Sequence, residues 1–162
     1  MKGHVKIRCV SRRDLASVAL MVNEGRKQGG FLPHNPRCTA PSLAAYMRRM
    51  RSCFPYHMLV LEIEGNVQGY VDFCEMGGGV GHLIGIFVNQ PNRRKGHAAK
   101  LVNQALRLLR KRRCHKVRSE VYITNRGAML FSKRMGFFRE GLFRDDEGHR
   151  DVVIWSKSIA RR

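Results

Sequence analysis

The run Ile86-Phe87-Val88-Asn89-Gln90-Pro91-Asn92-Arg93-Arg94-Lys95-Gly96-His97-Ala98 holds the residue types best suited to chemistry. An apolar segment ends in a short basic turn, and an amphipathic segment starts at once. That order predicts a buried strand, a tight connection and a helix whose first turn begins near Gly96. The first N–H groups of a helix lack intrahelical partners and sit at the positive end of its dipole. Gly96 lets the backbone approach an anion closely, and Arg93, Arg94 and Lys95 add full charges. The chemistry this suits is phosphate binding. A Walker A loop (GxxxxGK[ST]) is absent, and the dinucleotide fingerprint GxGxxG fails because only one glycine lies here. An ordinary basic strand–helix turn is the plain alternative.

The elements that must position this turn follow from hydropathy periods. Val5–Val10 alternates apolar and basic residues as a strand does, and Ser11 with Asp14 forms a capping-box pattern at a helix start. Leu15, Val18, Ala19 and Val22 continue that helix, which is expected to fail near Gly25. Residues 25–41, rich in Gly and Pro around Phe31 and Leu32, read as an irregular connection. A second helix covers Leu43–Met50. Strands are expected at His57–Glu64, Val67–Cys74 and Leu83–Val88, with turns at Glu64-Gly65-Asn66 and Gly77-Gly78-Gly79. Gly96 to about Arg113 is the longest helix, with Leu101, Val102, Ala105, Leu106 and Leu109 on its apolar face. Val117–Ile123 is a strand, and Arg126–Met135 is a short helix stopped by Gly136. Phe137–Phe143 and Asp151–Ser156 form a closing hairpin around Asp145-Asp146-Glu147-Gly148. The sum is one α/β domain over residues 1–162, a mixed sheet with helices on both faces.

On these residues the chain resembles the GNAT superfamily of N-acetyltransferases. Arg93-x-x-Gly96-x-Ala98 matches the signature Q/R-x-x-G-x-G/A, and it sits between an apolar strand and a long helix. Val117–Thr124, then Asn125, Ala128, Met129 and Lys133-Arg134-Met135-Gly136-Phe137, resemble the family's strand, Asn, "AxxLY" helix and "LGF". The tail from Gly136 to Arg144, with Asp151-Val152-Val153, is similar to the ending of the ribosomal-protein alanine and polyamine acetyltransferase branches. The resemblance is weakest over residues 24–56. It implies acetyl-CoA as cosubstrate. Backbone N–H groups around Arg93–Ala98 would hold its pyrophosphate, Ile86, Phe87 and Val88 would hydrogen-bond the pantetheine arm, and Asn125 would contact that arm.

The same alignment puts Ser132 where the family usually has the tyrosine that protonates the leaving thiolate. Serine is a poor acid for that task, although thiolate is itself a good leaving group. An ammonium cannot attack a thioester, so a base is needed. Glu120 is the leading candidate, because the ribosomal-protein branch carries a Glu at the same separation from the tyrosine position. Its plain alternative is the outward residue of an alternating strand. His82, with an imidazole pKa suited to the task, and Glu24 are weaker candidates.

Charge is the unusual global feature: 31 Lys+Arg against 12 Asp+Glu give +19. Such a field favours polyanionic neighbours and disfavours polycationic substrates. The run Arg110-Lys111-Arg112-Arg113 is a candidate RNA or ribosome contact, or a solvated helix end. The acceptor amine is expected to be a protein N-terminus, a ribosomal protein's included, or a small amine. A GNAT-fold protein docking on RNA or the ribosome, or an acetyltransferase of aminoacyl-tRNA, are the rival readings. Cys9, Cys38, Cys53, Cys74 and Cys114 form no CxxC pair, so free thiols, buried or half-buried in a reducing compartment, are expected and a metal site is not. No secretory leader or membrane-length apolar run of ~18–20 residues is evident. A cytoplasmic monomer or homodimer is the expectation.

Overall fold

The computed structural model describes residues 4–29, 37–146 and 149–160. Phe31 and Leu32 and the hairpin turn's Glu147 and Gly148 therefore lie outside the described residues. Seven strands form one mixed sheet: β1 (Val5–Cys9), β2 (Tyr56–Ile63), β3 (Asn66–Glu75), β4 (Val80–Val88), β5 (Lys116–Tyr122), β6 (Phe138–Phe143) and β7 (Val152–Ser158). Their spatial order is β1-β2-β3-β4-β5-β7-β6, and among the described residues β4–β5 is the one parallel pair. The helices are α1 (Leu15–Lys27), α2 (Ala40–Cys53), α3 (His97–Lys111) and α4 (Arg126–Arg134).

The period of two along the strands builds two cores. Leu59, Leu61, Val71 and Phe73 face one side and pack with Leu101, Val102, Ala105 and Leu109 of α3. Their neighbours Met58, Val60, Tyr70 and Cys74 face the other side, against Val18, Met21 and Val22 of α1 and Leu43 and Met47 of α2. Helices thus cover both faces, as the α/β reading expects.

Several expectations need correction. The first helix runs through Gly25 to Lys27, at a cost of roughly 1 kcal/mol for a mid-helix glycine. The gain is close approach, because a Cβ at Gly25 would lie 3.2 Å from the Phe87 ring. The second helix begins three residues earlier than Leu43 and ends three later than Met50, since Thr39 caps it. The Thr39 hydroxyl accepts from the Ser42 N–H (3.3 Å) while the Thr39 N–H donates to Ser42 Oγ (2.9 Å). The Ser11 capping box exists around a 3-10 turn, Arg12–Asp14. Asp14 there accepts from the Ser11 N–H and hydroxyl (both 2.7 Å), and Arg8 donates to it at 2.7 and 3.0 Å. Arg8 also donates to Glu62 (2.8 Å), which ties β1, β2 and the start of α1 together. Cys74 and Cys114 are buried and Cys38 is half-buried, but Cys9 and Cys53 are exposed.

Candidate active site

The parallel pair β4–β5 creates the opening. Its register runs from Val80↔Lys116 only to Leu83↔Ser119. Both strands continue, to Val88 and Tyr122, without pairing further. A bulge at Ile84 adds to the divergence, because Asp72 pairs with Gly85 while the next residue of β3, Phe73, pairs with Leu83. The edge of β4 that faces β5 is therefore left without strand partners over Ile84–Val88, and an extended ligand has a backbone edge to bond.

A cavity fills this split, walled by β4, β5, α1 and α4. The structure brings Ile86, Phe87, Glu120, Asn125 and Ser132 to its lining. Val88 is buried at the strand's end and is not on that lining. Arg93, Arg94, Lys95, Gly96, His97 and Ala98 form the turn and first helical residues beyond it. His82 and Glu24 do not line the cavity.

In that turn Gly96 is the N-cap of α3 with φ 77°, the left-handed region. Among the described residues, the N–H groups of Arg94 through Ala99 meet no acceptor; the first bonded amide is Lys100, which donates to the Gly96 carbonyl (3.0 Å). Six amides in sequence around a helix N-terminus suit a phosphate. Arg94, itself at φ 59°, and Lys95 are exposed beside them. His97 is buried, and burial, then Lys100 and Lys95, push its pKa down. Ala98 packs against the α3-side core. Arg93 behaves differently from its neighbours: its Nε donates to the Val88 carbonyl (2.7 Å) and its Nη2 to Gln28 Oε1 (2.6 Å).

Asn125 caps α4, accepting from the Ala128 N–H at 3.1 Å, and donates to the Gly29 carbonyl (3.4 Å). Ser132 is 8% exposed. Glu120 is half-buried; burial first, then the neighbouring Asp146, raises its carboxyl pKa, and Arg118 opposes them. A carboxylate so raised is a better proton acceptor near neutral pH.

Sequence reasoning missed Tyr70, Asp72 and Gly85. Tyr70 and Gly85 line the cavity. Asp72 is 5% exposed and accepts from the Tyr56 hydroxyl at 2.9 Å. Its Oδ1 fills the space of Gly85's missing side chain, 2.7 Å from where a Cβ would stand, so any larger residue there expels the carboxyl. The signal was available: Asp72 alternates with the inward-facing Tyr70 and Cys74 in an apolar strand. Burial raises its pKa to about 7, against the Tyr56 hydroxyl and two backbone N–H groups, which lower it. The native protein holds a proton that the unfolded chain releases near the ordinary carboxylate value of 3.8, so this group's stabilisation is full below that value and is lost as pH rises toward about 7. Urea unfolding should show stability falling over that window, with a flatter curve in Asp72→Asn. Equal slopes in the two proteins would place the titration elsewhere.

The basic run at the end of α3 is half committed within the chain. Arg110 donates to the Ile159 carbonyl (2.9 Å) and Arg112 pairs with Glu75 (3.2 Å). Any phosphate contact there is left to Lys111 and Arg113. Among the described residues, no helix is long and apolar enough to cross a membrane.

Solved structures share this architecture. An N-acetyltransferase from Staphylococcus aureus Mu50 superposes with TM-score 0.85 at 15% identity, over 97% of this chain and 99% of that one. The ribosomal-protein-alanine N-acetyltransferase of Brucella melitensis gives 0.80 at 18%, over 94% and 99%. The PaiA N-acetyltransferase of Thermoplasma acidophilum, in complex with coenzyme A, gives 0.77 at 18%, over 96% and 99%. At these identities the likeness speaks for the fold. No curated protein sequence matches the chain. The model of the acetyltransferase (GNAT) family, however, matches residues 31–137, well over half of the chain, and the protein belongs to that family.

Proposed function

We propose that the protein transfers an acetyl group from acetyl-CoA to a primary amine, either a protein N-terminus, with a ribosomal protein among the candidates, or a small amine. The observation that carries this reading is the β4–β5 split, with the unpartnered amides of residues 94–99 just beyond the end of β4. Those amides, Arg94 and Lys95 suit the pyrophosphate, and the β4 edge over Ile86, Phe87 and Val88, of which the Val88 carbonyl is taken by Arg93, suits the amide-bearing pantetheine arm. Asn125 lines the same channel. Acetyl-CoA is the acetyl donor, and it supplies a thioester carbonyl.

Glu120 takes one proton from the acceptor ammonium, since only the neutral amine has a lone pair to attack with. The neutral nitrogen then attacks the thioester carbonyl directly, with no acetyl-enzyme. C–N forms in a tetrahedral intermediate, C–S breaks as it collapses, and the nitrogen's second proton ends on the leaving thiolate as the free thiol of CoA. Ser132 stands near the leaving sulfur as a hydrogen-bond donor rather than an acid, because its hydroxyl pKa is far above a phenol's. Ser132→Ala should therefore lower kcat by about tenfold to a hundredfold, the worth of one hydrogen bond to a charged group. A thousandfold loss would show that proton donation runs through this hydroxyl.

Incubating the protein with isotope-labelled acetyl-CoA and cell extract, beside an Ala-initiated peptide and a diamine, tests the reading by mass spectrometry. Label on a protein N-terminus or a small amine is expected. Absence of any labelled amine would overturn the reading. The strong positive charge weighs against polyamine acceptors, so the peptide should be preferred to the diamine.

A further inference from the structure

Arg93 opens the signature turn, yet its guanidinium is engaged by protein groups of two other elements. Its Nε holds the carbonyl of Val88, the last residue of β4 (2.7 Å). Its Nη2 holds Gln28 just beyond α1 (2.6 Å), and Gln28 in turn donates to Glu24 within that helix (2.8 Å). Its Cζ lies 5.0 Å from the centre of the Phe87 ring, the same ring that a Cβ at Gly25 of α1 would meet. One side chain thus joins the end of the cofactor strand to the last turn of the helix opposite. Both are cavity walls: Phe87 and Ile86 on β4, Val22 and Gly25 on α1. A planar cation with several fixed donors suits such a joint, where lysine would offer one point charge.

We propose that Arg93 is a positioning residue that braces α1 against the end of β4 and so couples the cofactor seat to the α1 wall of the cavity. The inference rests on the acetyl-CoA reading above. The pyrophosphate charge is met by the amides of residues 94–99, Arg94 and Lys95. Binding along β4 steadies Val88 and Phe87, and the brace passes that order to residues 24–28.

Three variants decide it: Arg93→Gln, Gln28→Ala and, as the phosphate-contact control, Lys95→Gln. Acetyl-CoA affinity is measured by calorimetry across a salt series, and amide hydrogen exchange is followed with and without acetyl-CoA. Arg93→Gln should weaken acetyl-CoA about tenfold and keep the wild-type salt dependence, whereas Lys95→Gln should flatten it. In the wild type and in Lys95→Gln, acetyl-CoA should slow exchange in residues 24–28. In Arg93→Gln that protection should vanish, and Gln28→Ala should lose part of it. A general loss of stability would speed exchange throughout, so selective loss of ligand-induced protection is the brace's signature. A flattened salt slope with intact protection in Arg93→Gln would make Arg93 a phosphate ligand and overturn the proposal, as would unchanged affinity. If the wild type binds no acetyl-CoA, the cofactor reading falls. The ligand-free exchange of residues 24–28 still judges the brace, which is refuted if Arg93→Gln leaves it unchanged.

Discussion

Acetyl-CoA at a thousand times its dissociation constant should raise the unfolding free energy of the wild-type protein by about 4 kcal/mol, and Gly96→Val should lose nearly all of that gain. The reason lies in the backbone. Gly96 sits at φ 77°, and a Cβ there would meet nothing within 4 Å. The free protein has room for the side chain, so the penalty is dihedral. The left-handed region costs an L-residue about 1–2 kcal/mol, and a β-branched one more. The turn relieves that strain by moving away from φ 77°, which re-aims the amides of residues 94–99. The added isopropyl group also covers the surface a phosphate would approach. A control separates strain from binding: Gly65, in the β2–β3 turn, has φ 80° and likewise has nothing near its Cβ position. Gly65→Val should cost similar stability and keep the full acetyl-CoA shift. If Gly96→Val kept its shift too, the pyrophosphate would not lie on this turn.

What the sequence made legible was local. The strand, basic turn and helix at 86–113 were readable because one segment carries apolar run, breaker and amphipathic period in order. The apolar-rich runs of β2 and β3, such as Met58-Leu59-Val60-Leu61, suited strands covered on both faces. Less was readable where partners are far apart in the chain. Arg8 looks like one more cation of a basic protein until the fold sets it between Asp14 and Glu62. Gly25 looks like a helix stop because its compensation, the Phe87 ring, lies sixty residues on. Arg93 looks like a phosphate ligand because Gln28 is equally remote. The insertion of β7 between β5 and β6 has no local signal either, since a hairpin pattern does not say which of its strands joins the sheet.

The charge takes on a different meaning once placed. Arg8, Arg110 and Arg112 hold elements together, and Lys116 and Arg118 both approach Glu140. Lys157 donates to the Met135 carbonyl at the end of α4. The cations paired with acids are already offset within the +19, but Arg110 and Lys157, bonded to carbonyls, are part of the excess and serve as structural cations. The side chains at the end of α3 that are left for polyanion docking are correspondingly fewer, which weighs for the plain N-acetyltransferase reading over an RNA-binding one.

Glu120→Gln should reduce kcat/KM by a factor of roughly 10² to 10⁴, the usual contribution of a positioned base, with acetyl-CoA affinity unchanged. Glu120 is the titratable carboxyl on the cavity lining, on β5 across the split from β4. Its pKa is raised, by burial and then by Asp146. A base works only when deprotonated, so the rate should climb with pH through this raised value and level off above it. The acidic limb should thus lie above the ordinary carboxylate range. Glutamine keeps the size and one acceptor oxygen but cannot take a proton, so that limb should disappear rather than shift. Asp146→Asn gives a graded check. Removing the neighbouring negative charge lowers the Glu120 pKa, and the limb should move to lower pH while the plateau rate falls only modestly, because a less basic carboxylate is a slightly weaker acceptor. A limb that survives in Glu120→Gln would exclude Glu120 as the base. Asp72, behind Gly85 with its pKa near 7, would then be the carboxyl to replace next.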